Sequence, residues 1–436
     1  MSEPHGTLLL LGGGTTLGSM SAARPFHIEE LHLSGFRAFA KTRLQLGDFT
    51  VLVGRNGVGK STLVDALEFL REALTDSLEA ALERRGGLEA LLHRGPRESS
   101  HLSVALGVRL STAYLREVRR TTGLPLPLPR SRAGATVTYG FRVVPARGRA
   151  RFSVDSEVSQ AMDWGFHRSG SPPWNVWGCS VPPGLRAPSR RSLLLPLAAQ
   201  HDGLHRALLD ALTTSCRVYR PSPEALRVEP PTSGAVLLNQ DGSNAGDVLH
   251  HLARRKEDVE WVARHLAAVT PGLVGVRASA AAGRCLLRFH LRQGPGSRAG
   301  TELDVRAVSD GTLRALVLLL ALRQRPTPAL VCMEKLEASL HPSAISVVME
   351  AAEASTHRCQ VLLATYSPEA LAHPAVTSAR VRVVVSREGR SRILTPRADV
   401  AEPALLRRFL GALLTESELS PAEESKYLEE DYLVAV

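Results

Sequence analysis

The sequence predicts an α/β fold in which a mixed sheet is flanked by helices. The first observation is a short buried strand, Thr50 to Val53, followed by a glycine-rich turn and a helix with leucines on one face. The second is an apolar strand from Ala329 to Met333 with a helix before it. The third is another apolar strand, Val361 to Ala364. Short apolar strands that alternate with helices are typical of sheets buried on both faces.

The composition is that of a globular protein. The 436 residues are 44% hydrophobic and 22% charged, and this length suits about two to three domain-sized units. No apolar stretch approaches the roughly 18 residues of a membrane helix, so no membrane association is expected. The five cysteines are scattered without a CxxC pair, which argues against disulfides and zinc and indicates a cytoplasmic protein.

The formal net charge of +10 is concentrated in one segment. Between Arg109 and Arg191 there are 14 arginines against 4 acidic residues. The segment is rich in turn residues and contains a predicted β-hairpin, TVTYGFRVV followed by RFSV. We therefore predict an inserted β-rich, Arg-rich lobe at residues 111–214. Its arginines and tryptophans are compatible with nucleic-acid contact, although Arg is the common basic residue throughout this Lys-poor chain.

The two ends of the chain are predicted to lie outside the packed core. Residues 1–24 are predicted to be a disordered extension or a mis-assigned start, since Met20 lies just before the first strand-like pattern. Their short apolar run has no basic segment before it and is a poor signal peptide. Residues 415–436 are predicted to be an acidic tail, solvated or facing a partner. Within this tail, Glu416 to Asp431 holds seven acids against Lys426.

The most informative segment is GRNGVGKST, which runs from Gly54 to Thr62. It matches the phosphate-loop pattern GxxxxGK[ST] and lies between the predicted strand and helix, the context that this pattern requires. Glycines let backbone N–H groups point at phosphates, aided by the positive end of the helix. Lys60 would bridge the β- and γ-phosphates, and Ser61 would ligate Mg²⁺. The residues predicted to bind nucleotide are Gly54, Arg55, Asn56, Gly57, Gly59, Lys60, Ser61 and Thr62.

A phosphate loop does not identify a reaction, because kinases, GTPases, helicases and ATP-driven clamps all use it. Two later elements narrow the choice. Ser309-Asp310-Gly311-Thr312 opens a helix, with Ser or Asp as its N-cap. The next apolar strand ends at Glu334, an acid placed to hold Mg²⁺ through its water shell. The strand after that ends at Thr365-Tyr366-Ser367.

Together these motifs resemble the ABC-type AAA ATPases of the RecF, SMC and OLD-nuclease group, especially compact members without a coiled coil. The resemblance starts with IEELHLSGFRAF and GRNGVGKST and continues through GGLEALLHRG, DGSN and the signature VSDGT. A Walker B strand and a switch strand complete the set. The resemblance covers residues 25–110 and 215–400. It implies a P-loop NTPase head of the ABC type, formed by residues 25–110 and 215–414.

In that family ATP with Mg²⁺ is sandwiched between two heads, and the signature of one head completes the site of the other. Carried over to this chain, Ser309 and Gly311 would contact the γ-phosphate held by the partner's Lys60. Ser61 and Glu334 would hold Mg²⁺. The resemblance therefore implies a homodimer, or a heterodimer with a related chain.

The sequence departs from the family at two catalytic positions. The family has two acids at the end of the Walker B strand, one for Mg²⁺ and one for the attacking water, whereas this chain has Glu334 followed by Lys335. A Lys ammonium donates hydrogen bonds and accepts none, so it cannot deprotonate water while charged. The family's switch histidine is Tyr366 here. Glu337 is a candidate substitute base, three residues beyond the strand.

The leading hypothesis is an ATP-binding switch that dimerises around the nucleotide and hydrolyses it slowly. It would act with DNA or a partner effector in DNA maintenance or anti-phage defence. One alternative is a fully active ATPase that uses Glu337 or residues of a partner subunit. A P-loop kinase and a non-catalytic scaffold remain as alternatives of other classes. Because the chain after Tyr366 has no acidic cluster for a nuclease domain, any nuclease chemistry would need a separate chain.

Overall fold

The computed structural model describes residues 24–95, 99–129, 134–146, 151–161, 164–168, 189–214, 216–228, 230–281, 283–292, 300–338, 340–387, 389–396 and 433–435. The predicted N-terminal extension, apart from Arg24, and most of the predicted acidic tail lie outside these residues. Within them the chain forms three sheets, of six, seven and three strands, with helices between and around them.

The strands in chain order are β1 (Phe26–Phe36), β2 (Phe39–Gln45), β3 (Phe49–Val53), β4 (Leu102–Leu110), β5 (Ala135–Pro145), β6 (Phe152–Ala161), β7 (Trp164–Arg168), β8 (Cys216–Tyr219), β9 (Leu273–Ala281), β10 (Arg284–Arg292), β11 (Gly300–Asp304), β12 (Leu330–Glu334), β13 (Gln360–Thr365), β14 (Val381–Arg387), β15 (Arg390–Pro396) and β16 (Leu433–Ala435). The helices are α1 (Lys60–Thr75), α2 (Leu78–Glu83), α3 (Leu88–Leu91), α4 (Thr112–Thr122), α5 (Leu195–Ala198), α6 (Gly203–Thr214), α7 (Pro223–Arg227), α8 (Ala245–Leu252), α9 (Lys256–Val269), α10 (Asp310–Arg323), α11 (Pro342–Ala354) and α12 (Pro368–Ala372).

The seven-stranded sheet is mixed, as predicted. Its order is β16–β15–β14–β3–β13–β12–β8. The five strands from β14 to β8 are parallel, and β15 and β16 add antiparallel pairs at one edge. The strands predicted around residues 50–53, 329–333 and 361–364 are β3, β12 and β13.

Alternation along β3 explains why both faces of this sheet are covered. Leu52 points into a core that contains α1 and the six-stranded sheet. Val51 and Val53 point into a second core that contains α10 and α11. Successive side chains of a strand point to opposite faces, so a strand between two cores is buried at every position, as β3 is. This arrangement makes β3, β12 and β13 rigid supports for the residues at their ends.

The six-stranded sheet is antiparallel and has the order β2–β1–β4–β5–β6–β7. The pairing of β5 with β6 confirms the predicted hairpin. Strands β5, β6 and β7 of the Arg-rich segment therefore extend the sheet that β1 and β4 begin, and α6 packs against both α1 and α4.

A buried glutamate fastens the residues before α6 to this sheet. Glu157 on β6 has no exposed surface. Its carboxylate accepts hydrogen bonds from the Tyr139 hydroxyl at 3.0 Å, the Leu194 N–H at 2.6 Å and the Leu195 N–H at 3.0 Å. Burial, together with this carboxylate, raises the pKa of Tyr139 well above its usual value. The carboxylate thus bridges two segments that are distant in sequence.

The three-stranded sheet is antiparallel, in the order β11–β10–β9, and packs against α8 and α9. A single 3₁₀ turn, Val305–Ala307, joins β11 to α10. Among the described residues there is no group of His, Cys, Asp and Glu that could hold a metal ion. None of the described helices is long and apolar enough to cross a bilayer.

Candidate nucleotide-binding site

Three neighbouring parallel strands end together at one edge of the seven-stranded sheet. The register aligns Thr365 of β13 with Val53 of β3, and Ala364 of β13 with Glu334 of β12. The phosphate loop, Glu334 and Thr365 therefore lie at the same edge. Ligand sites of α/β proteins form outside the carboxyl ends of the strands, which is where this edge lies.

The phosphate loop has a backbone that requires glycine at two positions. Gly54 has φ of 158°, and a Cβ there would lie 2.3 Å from the Val384 carbonyl oxygen. Gly59 has φ of 110° and lies against Ala38 and Phe39. Gly59 is also the N-cap of α1 and supplies no side-chain cap. The first N–H groups of α1 are therefore available to an anion.

Lys60 already folds back over the loop. Its Nζ donates to the carbonyl oxygens of Gly54 at 2.5 Å and Arg55 at 2.8 Å. Burial lowers the pKa of Lys60, and the nearby carboxylates of Glu337 and Glu334 oppose that effect. Two neutral carbonyl oxygens thus hold the ammonium group inside the phosphate loop. Charged phosphate oxygens are stronger acceptors and can replace them.

The other residues predicted to bind nucleotide lie on the solvent-facing side of the phosphate loop. Arg55, Asn56, Gly57 and Ser61 are exposed, and Thr62 is half-buried. The Ser61 hydroxyl belongs to the first turn of α1, directly after Lys60. These exposed groups are accessible to a ligand that enters at the carboxyl edge of the sheet.

Glu334 has a partner that the sequence analysis missed. Arg220, the residue after β8, directs its Nε to Glu334 and its Nη1 to Glu68 of α1, the latter at 2.9 Å. The Glu334 side chain is only 5% exposed. Burial tends to lower the pKa of Arg220, but Glu68 and Glu334 raise it overall. The arginine therefore neutralises two nearly buried carboxylates, one on the strand and one on the helix.

The signature segment opens α10 as predicted. The Ser309 side chain is the N-cap and accepts a hydrogen bond from the Thr312 N–H at 3.3 Å. Asp310 pairs with Arg227 at 2.6 Å. Ser309 is exposed and Gly311 half-buried. In the described part of the chain no hydrogen bond or ion pair joins this segment to the phosphate loop.

The comparisons with known proteins agree with this geometry. Residues 27–87, which contain the phosphate loop, match the family "AAA ATPase domain". Residues 296–372, which contain the signature, Glu334 and Tyr366, match the family "AAA domain, putative AbiEii toxin, Type IV TA system". The DNA replication and repair protein RecF of Paenarthrobacter aurescens (strain TC1) is 41% identical over 69 residues. This match spans 15% of the chain and 17% of RecF.

Solved structures of SMC heads share the fold. An SMC head bound to the C-terminal winged-helix domain of ScpA has a TM-score of 0.53 at 16% identity, over 86% of this chain and 99% of that one. A Pyrococcus furiosus SMC head bound to the ScpA C-terminal domain has a TM-score of 0.51 at 15% identity, over 87% and 98%.

These matches and this shared fold make the chain similar to the ABC-type AAA ATPases of the RecF and SMC group.

Lys335 follows Glu334, the residue that ends β12, and has a left-handed backbone, with φ of 53°. Its N–H donates to the Ala364 carbonyl at 3.1 Å, which continues the pairing of β12 with β13. The side chain is exposed. Within the described residues no carboxylate lies within ion-pair distance of its ammonium group.

Glu337 lies close to Thr365 and Lys60, although it follows the end of its own strand by three residues. Its Oε2 accepts a hydrogen bond from the Thr365 hydroxyl at 2.5 Å. Its Oε1 is buried and has no hydrogen-bond partner among the residues that the structure describes. The carboxylate is also near enough to affect the charge state of Lys60. The structure thus brings Glu337, Lys60 and the end of β13 together.

Tyr366 flanks the same place. The Lys60 ammonium lies 5.8 Å from the centroid of its ring, a distance at which a cation is attracted to the ring face. The residue is 40% exposed. The ring, rather than the hydroxyl, is therefore the part of Tyr366 that faces Lys60 in this head.

A shallow cleft of about 440 Å³ lies beside the phosphate loop and was not predicted. It is lined by Arg37, Ala38, Ala90, Leu92, Arg94 and Gly389. Ala38 also contacts Gly59 of the loop. The signal in the sequence was the pair of segments GFRAF and GGLEALLHRG, which the resemblance included but to which no contact role was assigned. Arg37 and Ala38 from the first segment and Ala90, Leu92 and Arg94 from the second line the cleft, and Ala38 connects it to the side of the loop at Gly59.

Proposed function

We propose that this chain binds ATP with Mg²⁺, closes into a dimer around the nucleotide, and hydrolyses it slowly. The observation that carries the proposal is the site at the carboxyl edge of β3, β12 and β13. A phosphate loop with the required backbone is present there together with Lys60 and Glu334, but the position of the family's second acid is Lys335. The arrangement suits binding better than turnover.

The residues fit an ATP·Mg²⁺ ligand. Lys60 exchanges its two carbonyl partners for β- and γ-phosphate oxygens, and the N–H groups at the start of α1 hold the phosphates. The Ser61 hydroxyl and the Glu334 carboxylate are hard oxygen donors of the kind that Mg²⁺ prefers. When bound, Mg²⁺ neutralises phosphate charge and polarises the γ-phosphate. The cleft beside Gly59 suits the nucleoside portion of ATP.

Dimerisation follows from the separation of the two halves of the site. Ser309 is exposed at the N-terminus of α10, and among the described residues no hydrogen bond or ion pair joins it to its own phosphate loop. In an ABC-type sandwich the segment reaches the nucleotide of a second head, so Ser309 and Gly311 contact that γ-phosphate. The second head is another copy of this chain or a related subunit.

Slow hydrolysis follows from the groups around the γ-phosphate position. Lys335 is exposed and cannot accept a proton while charged. Tyr366 replaces the switch histidine and presents its ring to Lys60. A general base contributes about 10²- to 10⁴-fold to such a reaction, so its loss leaves ATP as a long-lived ligand that keeps the heads together.

A filter-binding assay combined with single-turnover hydrolysis tests this proposal. Wild type binds ATP, and Lys60→Ala binds it at least about tenfold more weakly. Lys335→Glu binds ATP like wild type but hydrolyses it at least about tenfold faster, because an acid returns to the water-activating position. A Lys335→Glu rate no higher than the wild-type rate would contradict the idea that Lys335 slows hydrolysis.

One observation favours an active ATPase as the second candidate. The unpartnered, buried Oε1 of Glu337 lies near Lys60. A carboxylate with a free oxygen beside the phosphate-binding lysine can accept a proton from an attacking water. In this version Glu337 is the base, and Thr365 orients it.

The same proposal includes a partner and a setting in the cell. One SMC head of this fold is bound to ScpA, and RecF is a DNA replication and repair protein. We propose that this head likewise works with a partner effector, such as a nuclease subunit, in cytoplasmic DNA maintenance or anti-phage defence. Nucleic acid is proposed to contact the Arg109–Arg191 segment, where Arg116, Arg119 and Arg120 are exposed on α4.

Salt dependence of DNA binding tests that contact. Binding of a labelled duplex to wild type should weaken steeply as salt rises. Replacing Arg116 and Arg119 by Gln should reduce that dependence. Replacing Arg277 on β9 and Arg306 in the 3₁₀ turn before α10 should not. Equal binding by both double variants would overturn the assignment of DNA to this segment.

A further inference from the structure

Three arginines converge on a single buried aspartate at the edge of the sheet opposite the nucleotide site. Asp258, in the first turn of α9, is fully buried. The Nε of Arg323 lies 2.7 Å from its Oδ1, and the Nε of Arg325 lies 2.9 Å from its Oδ2. Arg358 Nη1 lies farther away, 3.8 Å from Oδ1. We call Asp258, Arg323, Arg325 and Arg358 the arginine cluster.

The cluster is built by four elements that fix its position in the fold. Arg323 is the last residue of α10, and Arg325 follows it in the loop before β12. Arg358 precedes β13. The amino ends of β12 and β13 therefore adjoin the cluster, whereas their carboxyl ends carry Glu334 and Thr365. A strand of five residues spans about 16 Å, so the cluster is clearly separate from the phosphate loop.

Charge is not balanced in the cluster. Three guanidinium groups face one carboxylate, and no other carboxylate of the described residues lies within 4 Å of them. The side chains of Arg323 and Arg358 are only 16% and 11% exposed. Arg358 also donates to the Thr327 hydroxyl at 3.0 Å, but its Nη1 is buried without a hydrogen-bond partner. Burial, followed by the charges of Arg323 and Arg325, lowers the pKa of Arg358 to about 10.

We propose that the arginine cluster is a binding site for a dianionic phosphate group. Guanidinium groups match phosphate oxygens in pairs of parallel hydrogen bonds. Three arginines and one aspartate leave an excess of about two positive charges. A dianionic ligand balances this excess, whereas a ligand with one carboxylate would balance only half of it. Asp258 then anchors its two nearer partners, Arg323 and Arg325, and the more distant Arg358 offers its Nη1 to the ligand.

A purely structural ion-pair cluster predicts the opposite effect of mutation. If Arg358 served only to stabilise the fold, its removal would lower stability, as the loss of a partner from a buried charge network does. If Arg358 is a ligand-binding group, its removal relieves repulsion from Arg323 and Arg325. The free protein then keeps or gains stability and loses its response to phosphate.

Thermal unfolding in Lys60→Ala protein tests the proposal, since this background removes phosphate binding at the nucleotide loop. Inorganic phosphate should raise the Tm in a saturable way, with chloride at equal ionic strength as the reference. Arg358→Gln should abolish the rise without lowering the Tm of the free protein, and Arg325→Gln should weaken phosphate binding at least about tenfold. Arg264→Gln, an exposed arginine on α9, is the matched control and should respond like its parent.

Two outcomes would overturn the site. One is that phosphate does not raise the Tm of the Lys60→Ala protein. The other is an equal rise in Arg358→Gln. The source of the phosphate is distinguished by a short DNA strand carrying a 5′-phosphate, compared with the same strand carrying a 5′-hydroxyl. A preference for the phosphorylated strand assigns the cluster to a nucleic-acid end, and equal binding by both assigns it to free phosphate.

Discussion

Glu337 and Thr365 are joined by a hydrogen bond of 2.5 Å between the threonine hydroxyl and one oxygen of the carboxylate. The other carboxylate oxygen is buried and has no hydrogen-bond partner within the described part of the chain. Thr365 ends the strand that lies between β3 and β12. The bond therefore fixes a free carboxylate oxygen at the edge where Lys60 and Glu334 meet, although Glu337 lies beyond the end of its own strand.

The first prediction concerns this carboxylate. Glu337→Gln removes the proton acceptor but keeps the hydrogen bond from Thr365. If Glu337 is the base, the residual single-turnover rate falls about 10- to 100-fold while ATP affinity stays within about threefold. Glu369→Gln, an acid that accepts from Ser367 farther along the chain, is the control. An unchanged rate in Glu337→Gln would exclude Glu337 as the base and leave the site without one.

The second prediction concerns Arg220. Arg220→Gln leaves the carboxylates of Glu334 and Glu68 without their shared cation, so the free energy of unfolding falls by about 2 kcal/mol. Because Mg²⁺ neutralises Glu334 in its place, ATP with Mg²⁺ stabilises the variant more than it stabilises wild type. Urea denaturation with and without the ligand measures both effects. Arg217→Gln, on β8 and without an acidic partner among the described residues, is the control. Equal stability of the two variants would refute the pairing argument.

The third prediction concerns Glu157. Glu157→Gln replaces one acceptor oxygen by an amide donor opposite groups that are themselves donors. Two buried backbone N–H groups and the Tyr139 hydroxyl then compete for one oxygen, and the free energy of unfolding falls by about 2 to 3 kcal/mol. Asp155→Asn, on the same strand but partly exposed, should change it by less than about 0.5 kcal/mol. Chemical denaturation measures the free energy of unfolding of both variants. Equal values would show that the hydrogen bonds of Glu157 do not stabilise the fold.

The fourth prediction is a pH dependence. The pKa of Lys60 is lowered by burial in the free protein, and phosphate charge favours the protonated form. Above the lowered pKa, the free protein must therefore take up a proton at Lys60 in order to bind ATP. The affinity for ATP consequently begins to decline at a pH below the ordinary lysine pKa of about 10.4. A fluorescent ATP analogue titrated from about pH 7.5 to about pH 10 measures the decline. Lys60→Arg stays protonated throughout, so a parallel decline in that variant would assign the effect to another group.

The strand–loop–helix unit of the nucleotide site could be predicted because all its determinants are local. The glycines, Lys60 and the leucines of α1 follow one another in the chain, and their spacing sets both the turn and the buried face. Glu334 was predicted for the same reason, since an acid directly after an apolar strand lies at the edge of the sheet.

The partner of Glu334 could not be predicted. Arg220 is 114 residues from Glu334 in sequence, and their contact depends on β8 pairing beside β12. Neither short strand carries a signal for that pairing. The place of Glu337 depends on the left-handed turn at Lys335, which redirects the chain toward Thr365. The extension of the β1–β4 sheet by the Arg-rich segment depends likewise on long-range strand pairing.

The most direct test of the account is the molar mass of the protein with and without nucleotide, measured by size-exclusion chromatography with light scattering. Wild type should be a monomer alone and a dimer with ATP and Mg²⁺. Ser309→Arg should bind ATP but stay monomeric, while Arg306→Gln, its exposed neighbour, should dimerise. A wild-type mass unaffected by ATP, or a Ser309→Arg dimer in ATP, would contradict the claim that ATP joins two heads through this signature.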